Sequence, residues 1–140
     1  MKIAFISRHE PTEAQAELVD VFDGQLVAVG DVDGFDAAAV AALVNKCRMD
    51  GIAAFAVVNA AVALNVAAAM EDVSEAADVF VFRNTARPVV GGKPEFVTDA
   101  VHRWTVGGGA WHCGVTTAAD VAAKAERLAE WNRHCDRGGE

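Results

Sequence analysis

The chain has 140 residues, 53% of them hydrophobic and 23% charged, and a formal net charge of -8 at pH 7. That length fits a single domain with a real core and leaves no room for a second, while the acidic balance, with twelve Lys and Arg residues dispersed rather than striped, argues against binding a nucleic-acid backbone. Three scattered cysteines argue against a disulfide framework, and the longest apolar stretch, Ala60 to Met70, is broken by Asn65 and too short to span a membrane. With an N-terminal apolar run too short for a secretory signal, these features predict a cytoplasmic protein.

Lys2 to Ser7 reads as a buried strand, and Thr12 to about Phe22 as a helix with Leu18, Val19 and Phe22 on one face. Gln25 to Val29 predicts a second strand. Asp36 is placed to cap a second helix reaching Arg48, in which Val40, Ala41, Leu43, Val44 and Cys47 recur at three- and four-residue spacing. The third strand, Ala53 to Val58, is apolar throughout. An alanine-rich helix follows from about Ala61 to Met70 or on to Ala77, and Asp78 to Asn84, "DVFVFRN", predicts a fourth strand. Strands apolar on both faces that alternate with helices imply a mainly parallel sheet covered on both sides, an α/β three-layer domain.

The segment 94–106 fits two patterns. Phe96, Val97, Ala100, Val101 and Trp104 share a helical face, whereas the β-branched residues and the preceding "RPVVGGKP" fit an antiparallel edge strand, the reading slightly favoured. Gly107-Gly108-Gly109 reads as a flexible joint, and Thr117 with Asp120 opens a C-terminal amphipathic helix carrying Val121, Ala122, Ala125, Leu128 and Ala129. The expected core is thus 1–106, with 107–140 adding a joint and a helix to the same domain.

In open α/β sheets, ligands bind beyond the carboxyl ends of strands whose connections leave to opposite faces. With a strand order 2-1-3-4 this crevice lies between the first and third strands, at whose ends stand Ser7, Arg8, His9 and Asn59. One arginine and a serine can hold a phosphate locally whatever the global charge. Thr12 and Gln15 form the T-x-x-Q pattern of a capping box, and Asn59 is also a helix-cap type, so an ordinary helix start accounts for these three as well as a ligand does. A second polar cluster, Arg83, Asn84, Thr85 and Arg87, leaves the fourth strand on the same side, where ordinary solvated loop residues are the competing reading. No G-x-G-x-x-G, P-loop or G-x-S-x-G motif occurs, and His112-Cys113 with His134-Cys135 lack metal-ligand spacing, so neither a cofactor nor a metal is expected.

The run Ser7, His9, Thr12 and Gln15 after the first strand resembles the small CRISPR-associated ring nucleases, Rossmann-like proteins related to CARF domains, some of which carry a serine-histidine and threonine-glutamine signature there. The later "KPEFVTDAVHRW" is similar to the closing strand of that group, so the resemblance spans roughly residues 1 to 106. Arg8 separates the serine from the histidine, and the segment after Val106 looks like an addition, as in a phage or prophage homologue. The resemblance implies a Rossmann-like fold and a cyclic oligoadenylate substrate, a second messenger of antiviral defence. It implies cleavage by attack of a ribose 2'-hydroxyl on its own 3'-phosphate without a metal. Ser7, Arg8 and His9 would then be catalytic, with Thr12, Gln15, Asn59, Arg83, Asn84 and Arg87 on the ligand, and two chains would share one ring as a homodimer. A non-catalytic sensor or sponge of the same fold, and an interaction protein without a nucleotide ligand, stay open.

Overall fold

The computed structural model covers residues 1–140; residues 72, 74, 88, 90, 94, 108, 109, 139 and 140 and the side chains of 86, 87, 95, 96, 110, 111 and 134–138 lie outside the described ones. The described residues form β1 (Lys2–Ile6), α1 (Glu13–Asp20), β2 (Gln25–Gly30), α2 (Ala37–Met49), β3 (Ala54–Val57), α3 (Ala60–Met70), β4 (Ala77–Arg87), β5 (Glu95–Gly107), β6 (Ala110–Thr117) and α4 (Ala118–Gly138). All strands belong to one sheet in the order β2-β1-β3-β4-β5-β6.

Alternation along the strands divides the core into two. Ala4 and Ile6, Phe55 and Val57, and Val79 face Val40, Val44 and Cys47 of α2 and Val62, Val66 and Met70 of α3. Their neighbours Ile3, Phe5, Ala54, Ala56, Phe80 and Phe82 face Leu18 and Val19 of α1, with Val121 of α4 packed against the same cluster. Phe5, Phe55 and Phe80 are at most 1% exposed, each such burial being worth about 1.5–3 kcal/mol. Tilted aromatic contacts, Phe22 on Phe80 at 5.3 Å and Phe5 edge-on to Phe82 at 6.2 Å, order the α1 side.

The sheet is mixed, which corrects the expectation of a mainly parallel one. β1, β2, β3 and β4 run parallel in short ladders, whereas β4 pairs antiparallel with β5 from Ala77↔Val106 to Arg87↔Glu95, and β5 pairs antiparallel with β6. These antiparallel strands are the longest in the molecule, 11, 13 and 8 residues. Segment 94–106 is therefore strand apart from residue 94, which lies outside the described residues, and the expected glycine joint is the place where two paired strands meet, Gly107 opposite Ala110. The strand β6 had no place in the sequence reading because the preceding glycines read as a joint, although Trp111, Cys113 and Val115 alternate with His112 and Gly114 at the two-residue period of a strand.

The helix starts obey the expected chemistry. Thr12 and Gln15 form a complete capping box on α1, and Asp36 Oδ1 accepts from Ala39 N on α2. Thr117 and Asp120 repeat the box before α4, each accepting from the other's backbone N–H. The first turns of α4 pack on the body: Val121 lies beneath it and Lys124 Nζ donates to Val21 O at the end of α1. Beyond them Leu128 and Trp131 are more than half exposed. Among the described residues no helix is long and apolar enough to cross a membrane.

Candidate functional site

Successive connections leave β1 and β3 toward opposite faces, since α1 follows one and α3 the other. The crevice between them holds a cavity of about 440 Å³ at the carboxyl ends of β1, β2 and β3. Ser7, Arg8 and His9 line it from the end of β1, Asn59 and Val62 from the start of α3, and Asp31 to Phe35 from the loop after β2. Four residues expected to converge, Ser7, Arg8, His9 and Asn59, thus surround one space.

Local bonding explains the placement. Ser7 N donates to Gly30 O at 3.0 Å, prolonging the β1–β2 pairing past a register shift between Phe5 and Ile6. Such an irregularity at a strand end commonly re-aims side chains beside a site. Ser7 Oγ accepts from His9 N at 3.1 Å, which fixes the turn and leaves the hydroxyl proton to be donated outward. Arg8 Nε donates to His9 Nε2 at 3.3 Å, and both side chains are exposed. A donor meeting Nε2 selects the lone pair on that nitrogen and leaves Nδ1 to carry the ring proton. Asn59 caps α3 through Oδ1, which accepts from Ala61 N at 2.8 Å, so its amide NH₂ is the end that can donate to a ligand.

The loop after β2 was the part that sequence reasoning missed. It rests on α3: a Cβ on Gly34 would stand 2.8 Å from Val62 Cγ2 and 3.0 Å from Val62 N, so only glycine lets the backbone approach this closely. Asn65 Nδ2 donates to Gly34 O, and Asp33 Oδ1 accepts from Phe35 N at 3.0 Å. These contacts present Asp31, Asp33 and Phe35 to the cavity, with the Phe35 ring 87% exposed. The available signal was an aromatic residue placed among the turn formers Asp31, Asp33, Gly34 and Asp36.

The remaining candidates lie apart. Gln15 is buried, and the Thr12–Gln15 pair is occupied with capping; neither lines the cavity. Arg83 makes a two-pronged pair with Asp99, Nε to Oδ1 and Nη2 to Oδ2 both at 2.9 Å, and Thr85 Oγ1 donates to the same carboxylate. The hydrogen bond from Arg83, reinforced by Thr85, holds the Asp99 carboxyl below the usual range, and Asp99 in turn raises Arg83. Asn84 Oδ1 accepts from Thr98 Oγ1. Register places Arg83 beyond Val81, which pairs with Val57, so this cluster is at the same end of the sheet but not in the cavity lining. The Arg87 side chain lies outside the described residues.

Other chemistry-bearing groups are dispersed. Among the described residues no three His, Cys, Asp or Glu side chains are grouped to hold a metal ion. His112 and Cys113 are exposed on adjacent positions of β6, and the side chains of His134 and Cys135 lie outside the described residues. Cys47 is a buried free thiol whose pKa is pushed up by burial and by Asp50, with Lys46 opposing. A second cavity of about 480 Å³, between α1 and the start of β2, is lined by Glu13, Glu17 and Asp20 and by no basic residue, so an anion prefers the first. Compared with known proteins, the chain matches no family model, no curated protein and no solved structure.

Proposed function

We propose that the protein binds cyclic oligoadenylate in the cavity between β1 and β3 and cleaves it without a metal. The observation that carries the reading is the convergence of Ser7, Arg8, His9 and Asn59 on one space at the carboxyl ends of the strands. With α1 and α4 on one side of the sheet and α2 and α3 on the other, we read the fold as a Rossmann-like three-layer domain, extended by β5 and β6. This supports the resemblance to small CRISPR-associated ring nucleases read from "SRHEPTEAQ".

In this reading Arg8 turns from His9 to a phosphodiester oxygen, which frees His9 Nε2 to take the proton of the ribose 2'-hydroxyl. The 2'-oxygen attacks phosphorus and the bond to the 5'-oxygen breaks, giving a 2',3'-cyclic phosphate and a 5'-hydroxyl that recovers the proton. Ser7 Oγ and the Asn59 amide donate to the phosphate, and alignment plus charge compensation supply most of the rate. The cavity, about 440 Å³, is at the small end of the roughly 300–1,000 Å³ usual for such sites. It has room for one nucleotide unit, so a ring would be shared by two copies related by a twofold axis. Arg83 and Asn84, at the same end of the sheet, would reach outlying parts of such a ring, and Arg87 is assigned with them.

A second reading, capture without cleavage, is favoured by the Arg8–His9 hydrogen bond, because it occupies the nitrogen that must accept the proton. Incubation with cyclic tri-, tetra- and hexa-adenylate in excess EDTA separates the two. Linear products that disappear in Arg8→Ala and His9→Ala establish cleavage at this site. Intact ligand that co-elutes with the protein establishes capture, and neither product nor retention overturns both readings.

A further inference from the structure

We infer that the cavity recognises one nucleotide unit by three separate groups: Phe35 stacks on the base, the Asp31 carboxylate accepts a hydrogen bond from an amino group on the base edge, and Arg8 with His9 holds a singly charged phosphodiester. This assignment rests on the proposed site and adds its selectivity.

The cavity is electrically two-ended. Arg8 and His9 project from the end of β1, whereas Asp31 and Asp33 project from the loop after β2. Asp33 is committed to the turn through Phe35 N, which leaves Asp31 as the acceptor facing a ligand. A carboxylate accepts hydrogen bonds and donates none, so it pairs with the amino edge of adenine and has less to offer uracil, whose edge is mostly carbonyl. Two negative charges near one arginine also penalise a dianion. An internal phosphodiester carries a single charge, and a terminal phosphomonoester close to two, so the site selects the former.

Phe35 supplies the flat surface. A singly exposed apolar side chain needs no explanation, but this ring stands at the mouth of the cavity on a backbone held at Phe35 N by Asp33 and at Gly34 by Val62 and Asn65. An 87% exposed ring so tethered contributes little to the core and loses little freedom when a base lies on it.

The test is equilibrium binding of cyclic tetra-adenylate, cyclic tetra-uridylate and adenosine monophosphate to wild type, Phe35→Ala, Phe35→Trp, Asp31→Asn and Arg8→Ala, with melting curves as a folding control. Base stacking on an aromatic ring predicts that Phe35→Ala weakens cyclic tetra-adenylate about ten- to a hundredfold and that Phe35→Trp restores it. Asp31→Asn should narrow the preference for the adenylate over the uridylate ring and improve binding of the monophosphate. If Arg8→Ala loses the adenylate ring while Phe35→Ala and Asp31→Asn bind it like wild type, the site stands and this inference falls. If wild type binds none of the three probes, the proposed function falls with it.

Discussion

The two ends of the sheet are built differently. β1 to β4 run parallel, the central residues of β1 and β3 are fully buried, and the loops beyond the carboxyl ends of β1, β2 and β3 are tied by side-chain bonds. β4, β5 and β6 form a long antiparallel meander that ends in a helix exposed along most of its length. Charge divides along similar lines: Ala110 to Gly138 holds four basic and four acidic residues, while the rest of the chain has eight basic and sixteen acidic. The cavity and Arg8, which lines it, belong to the parallel end. Deep burial in β1 and β3 fixes the strand ends that carry Ser7, Arg8, His9 and Asn59, while β5 joins the same core through Val101 and Val106 and lines no part of the cavity.

The contrast can be broken first at its core. Phe55→Ala, at a fully buried position on β3, should destabilise by about 3–5 kcal/mol in urea unfolding. Leu128→Ala, at a 52% exposed position on α4, should stay within about 0.5 kcal/mol; equal losses would mean that α4 is as integral as β3. Gly107→Ala tests where the two ends touch. Gly107 has φ +121° and a Cβ there would stand 2.7 Å from Glu75 O, so a loss of about 1–3 kcal/mol is expected from strain. Thr12→Ala removes half of the α1 capping box and should lower stability by about 1 kcal/mol, with Thr12→Ser restoring it.

The smallest effect concerns Asp120, whose carboxyl is held below the usual range by the backbone N–H and then the hydroxyl of Thr117. A depressed folded value means that the contribution is complete above the ordinary aspartate range and is lost as pH falls through that depressed value. Asp120→Asn should therefore melt slightly below wild type at pH 7, and the difference should vanish well below about pH 4. A difference that persists in acid would show that the charge is not its cause.

How much was legible follows from the same contrast. Apolar runs such as Ala54–Val57 and the cap types Thr12, Asp36 and Asn59 carry their own signal, so the parallel end could be read and the ends of β1 and β3 located. β4 runs on to Arg87 because pairing with β5 supports polar Asn84 and Thr85, a tertiary effect that no local pattern records. The loop after β2 escaped for a similar reason: its part in the cavity depends on Gly34 meeting Val62 and Asn65, residues of a helix far along the chain.

That anchoring has a thermodynamic consequence. Ser7 N on Gly30 O, Asn65 on Gly34 O and Asn59 on Ala61 N immobilise all three walls of the cavity before any molecule arrives. Association then includes no loop-ordering entropy, and free and bound backbones should nearly superimpose. The calorimetric signature expected is a modest negative heat-capacity change set by desolvation of Phe35 and Val32, without the large compensating entropy loss of coupled folding.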